Sequence, residues 1–171
     1  MENSSDTNNH NLKFKDEWNL WYHSKKDNWT LDGCEKLYKI NDVESYWKLY
    51  NNWDELGSIN NKHFFIMKND IVPIWEDPNN KHGGCWSFKV AESSAQELWN
   101  DLSLHMVTET LSSIDGDIIG LSACLKKNNS SVIKIWNKSS ENNSLTLLCK
   151  DILNKWGLDI IYIAHMPDIT V

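Results

Sequence analysis

Residues 118–137 read IIGLSACLKKNNSSVIKIWN, and the fold is decided here. From Ile118 to Lys126, the apolar Ile119, Leu121, Ala123 and Leu125 alternate with Gly120, Ser122, Cys124 and Lys126. That period of two puts successive side chains on opposite faces of a strand. Asn128 and Asn129 mark a turn, and Val132 to Trp136 returns as a second strand, so the stretch predicts a hairpin. In the returning strand Lys134 and Trp136 share one face while Ile133 and Ile135 point to the other. One face is suited to a core, and the other carries a cation and an indole.

Working outward, aromatic and β-branched runs predict strands at Trp18 to Tyr22, Leu37 to Ile40, His63 to Met67, Cys85 to Val90 and Asp159 to Ala164. Asp42 is placed to cap a helix reaching about Trp53, with Val43, Trp47 and Tyr50 on one stripe and Tyr46, Tyr50 and Trp53 on the next. Ser94 and Glu97 have capping-box spacing ahead of Leu98, Leu102, Met106 and Leu111, which predicts a second helix ending in the Gly116 region. A third helix is expected from about Ser144 to Trp156, with Leu145, Leu148, Ile152 and Trp156 on one face and Gly157 as a left-handed stop. Helices that arrive between hairpins, without regular strand–helix alternation, predict an α+β fold: an antiparallel sheet with three helices on one face and the other face free for a ligand.

A chain of 171 residues suits one domain, expected over residues 12–171, with the polar residues 1–11 as a disordered tail. No basic-then-apolar leader or membrane-length apolar run is present, so a soluble, intracellular protein is expected. Cys34, Cys85, Cys124 and Cys149 are scattered and read as reduced thiols. His10, His23, His63, His82, His105 and His165 show neither metal-ligand spacing nor a nucleophile–base pairing, so no metal, cofactor or catalytic role is expected. His82-x-x-Cys85 is at most a two-ligand fragment.

The net charge of −7 opposes general nucleic-acid binding, which depends on neutralising many phosphates. An RNA contact would have to be small and local. Every basic side chain apart from histidine is a lysine, and with the asparagine excess this points to an AT-rich genome. Ten tryptophans is the excess that most needs explaining, since an indole serves a core and an aromatic ligand site equally well. Trp29 falls in a polar loop, where a core residue is not expected. Trp75 falls in a long loop between Pro73 and the Gly83-Gly84 turn.

Trp18-x-x-Trp21, Trp29, Val43-x-x-x-Trp47, Pro73-x-Trp75-Glu76-Asp77, Gly83-Gly84-x-Trp86 and Ile135-Trp136 occur in the order and near the spacing of the eukaryotic translation initiation factor 4E family. The chain resembles that family over roughly Leu12 to Ile163. The resemblance implies a curved antiparallel sheet with three helices on its convex face and a messenger RNA cap held on the concave face. Trp29 and Trp75 would then sandwich the 7-methylguanine, and Glu76 would accept hydrogen bonds from its N1–H and N2–H edge. Trp136 would meet the N7-methyl group. Physics supports such a sandwich independently, because N7-methylation makes the base cationic and adds a cation–π contribution to stacking.

The same resemblance implies a phosphate site in which this chain departs from its relatives. The family's arginines are replaced by Cys85 and Lys126, and an expected lysine by Val132, leaving Lys126, Lys127 and Lys134 as candidates. Lysine binds phosphate as a point charge without arginine's fork, so a weaker and less geometric grip is expected. On the helical side, Val43, Trp47, Asn100 and Leu104 match the surface that takes a partner helix of a scaffold initiation factor or repressor. Lys13, Asn100 and Thr108 stand there in place of a proline, a leucine and a glycine. The expected role is binding of capped messenger RNA in the cytoplasm, by a monomer, in translation initiation or its control. The alternatives are a regulatory interaction module of the same fold with weak or no cap binding, and an aromatic platform for carbohydrate.

Overall fold

The structure is a computed structural model that describes residues 12–60, 62–126, 128–157 and 159–166. The tail expected over residues 1–11 and the phosphate candidate Lys127 lie outside the described residues. Among the described residues seven strands follow in chain order: β1 (Lys13–His23), β2 (Cys34–Asp42), β3 (Phe64–Lys68), β4 (Gly84–Ala91), β5 (Ile118–Lys126), β6 (Ser130–Asn137) and β7 (Ile160–Ala164). Three helices of the described residues, α1 (Val43–Asn51), α2 (Ala95–Val107) and α3 (Lys150–Trp156), are interspersed among them. The strands make one curved sheet, ordered β2-β1-β3-β5-β6-β4-β7, with every neighbouring pair antiparallel. The α+β expectation is met.

The hairpin β5–β6 pairs from Ile118↔Asn137 to Lys126↔Ser130. Asn128 and Asn129 take positive φ, 68° and 55°, as a tight reversal between twisted strands demands. Strict alternation fails at one place. A bulge between Ile118 and Gly120 shifts the register, so Ile118 joins Leu121 in the main core while Ile119 faces the other way, beside Met67 and Trp136. One extra residue in a strand inverts the facing of what precedes it.

The main core lies between sheet and helices. Trp18, Leu20, Phe64, Ile66, Trp86, Phe88, Leu121, Ile133 and Ile135 pack against Tyr46 and Leu49 of α1, Leu98, Trp99, Leu102 and Met106 of α2, and Ile152 of α3. Each fully buried indole takes roughly 150–250 Å² out of water. The opposite face carries a smaller cluster of Trp21, Phe65, Met67, Cys85, Ile119 and Trp136. Among the described residues no helix is long and apolar enough to cross a membrane.

Helix α1 starts as expected. Ser45 N donates to Asp42 Oδ1 at 2.7 Å and Asp42 N donates to Ser45 Oγ at 3.1 Å, a reciprocal capping box. The other two helices differ from expectation. Ser94 lies in the α region at the end of a 3₁₀ turn (Glu92–Ser94), and its side chain caps nothing. Helix α2 stops at Val107 instead of near Gly116, because Thr108 Oγ1 donates to Leu104 O at 2.7 Å and Glu109 reverses the chain at φ 60°. Leu111 is buried beyond that turn. The third helical stretch is split: Leu145–Leu147 form a 3₁₀ turn capped by Ser144, Leu148 is extended, and α3 follows from Lys150. The extension comes from tertiary pairing, since Leu148 bridges Ser112 and Cys149 N donates to Leu111 O at 2.8 Å. Gly157 sits at φ −75°, so α3 ends without a left-handed residue.

Candidate functional site

Two loops project from the sheet face that the helices leave open. In the β1–β2 loop, Asn28 Oδ1 accepts from Thr30 N at 3.0 Å and Thr30 Oγ1 at 2.6 Å, an Asx turn that forces Trp29 outward. Gly33 lets the loop close, because a Cβ there would lie 1.9 Å from Asn28 O. His23, at the end of β1, stacks on Trp29 with centroids 3.9 Å apart and rings 15° from parallel. The ring nitrogen Nε2 of His23 lies 2.6 Å from Asn28 O, so the histidine is held by the loop that it supports.

The β3–β4 loop is organised from inside by Asn80 and Asp77. Buried Asn80 donates from Nδ2 to Val72 O at 2.9 Å and to Ile74 O at 2.7 Å. Asp77 Oδ2 accepts from Val72 N at 3.1 Å, and its Oδ1 from Asn79 N at 2.8 Å. Residues 72–80 are thereby tied into a bow with Trp75 and Glu76 at its exposed crest. Among the described residues the Trp75 ring makes no contact with another aromatic ring.

Between the loops lies a cleft of about 380 Å³, lined by Trp29, Pro73, Ile74, Trp75 and Glu76 at its rim and by His63, Phe65, Cys85, Ser122, Lys134, Trp136 and His165 below. That size is in the range of small-molecule sites. Trp29 is 64 % exposed and Trp75 47 %, whereas Trp136 is 7 % exposed. Trp136 is fixed from three sides: its Nε1 donates to Ser122 Oγ at 3.0 Å, Phe65 meets it edge-on at 6.1 Å, and His165 leans on it at 4.9 Å. The ten tryptophans therefore divide by environment. Six are buried and Trp156 is half-buried, while Trp29, Trp75 and Trp47 are exposed.

The electrostatics of the floor are unusual. Burial, followed by the charges of His23, Lys134 and Lys126, pushes the His63 imidazole down to about 4, so it is neutral near pH 7. His165 is lowered for the same reasons, burial first and Lys134 second. Burial pushes the Cys85 thiol up to about 12 against a smaller opposing pull from Lys134, so the residue standing where an arginine was expected carries no charge. Of the expected phosphate lysines, Lys134 lines the cleft, and Lys126 stands exposed at the end of β5. Sequence reasoning missed His23, His63 and His165 because it tested histidines for metal spacing. Their i, i+2 parity with Trp21, Phe65 and Ile163 was the available signal. Among the described residues no cluster could hold a metal ion.

The family model of eukaryotic initiation factor 4E matches residues 13–165, which is most of the chain. The chain belongs to that family. It is 31 % identical over 137 residues to the eukaryotic translation initiation factor 4E of Candida glabrata, covering 76 % of this chain and 65 % of the relative. With the factor of Dictyostelium discoideum it shares 28 % over 139 residues, 77 % of this chain and 54 % of the relative. The chain thus spans less than two thirds of the length of these curated relatives. Among solved structures, a complex of Caenorhabditis elegans eIF4E-3 with the 4E-binding protein Mextli and a cap analog aligns at TM-score 0.77, 22 % identity, over 91 % of this chain and 93 % of that one. A complex of Ascaris suum eIF4E-3 with an m2,2,7G cap aligns at TM-score 0.75, 23 % identity, over 94 % and 95 %.

This 4E-family chain carries a second exposed area on its helical side. Trp47 of α1 is 48 % exposed and meets Tyr46 edge-on at 5.1 Å. Tyr46 Oη reaches across to Asn100 O at 3.4 Å and Ser103 Oγ at 3.2 Å, so α1 and α2 lie side by side. Of the residues expected on a partner surface, Val43 and Trp47 lie on α1 and Asn100 and Leu104 on α2, with Trp47 and Leu104 exposed and Thr108 bonded back to Leu104.

Proposed function

We propose that this protein binds the 7-methylguanosine cap of messenger RNA in the cleft between Trp29 and Trp75. The observation that carries the reading is that two exposed indoles, held out by two separate and internally braced loops, open on one cleft with a carboxylate on its rim. An exposed tryptophan is costly in water, and two of them across one gap suit a flat, electron-poor ring. Stacking of about 1–3 kcal/mol per base is augmented for a cationic base by roughly 0.5–2 kcal/mol.

In this reading Glu76 accepts from the guanine N1–H and N2–H, a donor pair that adenine lacks. Trp136, buried in the floor, contacts the N7-methyl. Lys134 takes the triphosphate, with Lys126 and Lys127 as further candidates. The cap complexes of the nematode structures, with m2,2,7G in one and m7G in another, support this ligand class. The complex of Caenorhabditis elegans eIF4E-3 with the 4E-binding protein Mextli supports a protein partner; in this reading the partner sits on the helical side, at Val43, Trp47, Asn100 and Leu104. The role is that of a cytoplasmic binder in translation initiation or its control, with residues 12–171 acting as one domain and no catalytic step.

Retention on immobilised 7-methylguanosine triphosphate, released by the methylated and not by the unmethylated nucleotide, tests the proposal. Trp29→Ala and Trp75→Ala should each weaken binding about 30- to 900-fold, the equivalent of about 2–4 kcal/mol of lost stacking. Both side chains are exposed, so melting temperatures should change little. Normal retention by both variants excludes the sandwich.

A further inference from the structure

We propose that His63 contacts the phosphates of the bound cap, donating from Nε2–H and supplying a directional bond where the expected arginines are missing. The assignment rests on the cap-binding reading above. The imidazole lines the cleft and lies on Phe65, with centroids 4.4 Å apart and rings 24° from parallel. Trp29 and His23 meet it from other sides, at 5.8 Å and 6.4 Å between centroids. Nδ1 is sealed from solvent and has no hydrogen-bond partner. A neutral imidazole carries one ring proton, and an orphaned buried N–H is rarer than an orphaned acceptor. The proton therefore sits on Nε2, the nitrogen left for the cleft.

Pairing register locates that donor. Phe65 pairs with Ser122 and Phe64 with Ala123, so His63 stands level with Cys124 of β5. Across the hairpin Ser122 pairs with Lys134, Cys124 with Val132 and Lys126 with Ser130. His63 is thus level with a point midway between Lys134 and Lys126, about 7 Å along the strand from each. The charges of both lysines act on its imidazole, after burial and His23. Trp136 pairs with Gly120, four residues before Cys124 and about 13 Å away along β5. His63 therefore belongs to the phosphate end of the cleft and not to the end that meets the methyl group.

A triphosphate held by Lys134 and extended along the hairpin toward Lys126 runs past this donor. Val132, where a lysine was expected, lies on the same row as His63 and has no polar side-chain atom. The imidazole serves that row from the other side of β5, two strands or about 10 Å across. The two ammonium groups attract the anion as point charges and fix no orientation. An N–H on a ring held by stacking adds direction, and its bond to a phosphate oxygen is charge-assisted. Because the ring is neutral near pH 7, it adds no repulsion toward the cationic base, as a further ammonium there would.

The test titrates the full chain with 7-methylguanosine triphosphate and with bare 7-methylguanosine, by tryptophan fluorescence, and reads the ratio of the two affinities. His63→Phe keeps a ring on Phe65 and deletes the donor, and should lower that ratio about tenfold. His63→Gln, whose amide nitrogen reaches as far as Nε2, should restore most of it. His63→Asn, whose amide stops at the place of Nδ1, should not. In the wild-type chain near pH 7, imidazole nitrogen resonances should show His63 protonated on Nε2, and the triphosphate should move that resonance further than the nucleoside does. This measurement needs no variant, so it decides the matter even if a substituted chain fails to fold. A ratio equal to wild type in His63→Phe, recovery by His63→Asn as full as by His63→Gln, or a ring protonated on Nδ1 overturns the assignment. Failure of the wild-type chain to bind either compound removes the cap-binding reading itself, whereas binding with an unchanged ratio removes His63 alone.

Discussion

His23 lies flat against Trp29, 3.9 Å away and 15° from parallel, and the same imidazole is bonded to the carbonyl of Asn28. One face of the exposed indole is thereby occupied, and the ring is held in place before any ligand arrives. Such a pair is worth about 0.5–1.5 kcal/mol beyond area burial. His23→Ala should weaken cap affinity about three- to tenfold with little loss of stability, and His23→Phe should restore most of it. Fluorescence titration with 7-methylguanosine triphosphate reads both, and an Ala variant that binds like the wild type would show that Trp29 needs no support.

The bow of residues 72–80 depends on one buried amide. Asn80→Ala removes both donors to Val72 O and Ile74 O, at a cost of about 1–3 kcal/mol for buried carbonyls left unpaired. Cap affinity should fall although Trp75 and Glu76 are untouched. Hydrogen exchange in this loop should rise above wild type, and unchanged protection there contradicts the bracing role.

Lys134 lines the cleft, on the same face of β6 as Trp136. Lys134→Ala should lower affinity for the triphosphate and flatten the dependence of affinity on salt, because one charge contact is lost. The same change should matter less for the bare methylated nucleoside. A salt slope equal to wild type removes this lysine from the phosphate site.

Acid should destabilise the fold through His63. In the folded chain its imidazole stays neutral down to about 4, whereas in the unfolded chain it takes a proton near its ordinary 6.5. The unfolded state therefore binds more protons between those values, so stability falls as pH drops from about 6.5 toward 4 and is unaffected above that window. The loss is at most about 3 kcal/mol from this group, and His165 acts in the same direction. His63→Phe, which retains a ring against Phe65, should flatten the urea-unfolding profile across that window. A profile as steep as wild type would place the acid sensitivity elsewhere.

Local chemistry made much of the scaffold legible. Asp42 and Ser45 form their capping box across only three positions of the chain, and Asn128 and Asn129 reverse the chain by their own tolerance of positive φ. The misreadings occurred where distant segments competed with local preference. Ser94 has the spacing of a cap, yet a 3₁₀ turn leads into α2. Leu148 has helical periodicity, yet pairing with Ser112 draws it out straight. At Ile119 a single bulge defeats a period-two argument that holds for the rest of the strand.

The sequence by itself determined that a β5–β6 hairpin exists, that it divides a hydrocarbon face from one bearing Lys134 and Trp136, and that Trp29 and Trp75 belong to loops. These follow from the spacing of side chains along a backbone whose geometry is known in advance. Only the tertiary structure decided that those two indoles border one cleft, that His23 backs one of them, and that His63, Cys85 and His165 lie beneath in uncharged form. These depend on strand order and burial, which bring together residues up to about 140 positions apart, and no periodicity within a segment encodes which segments will meet.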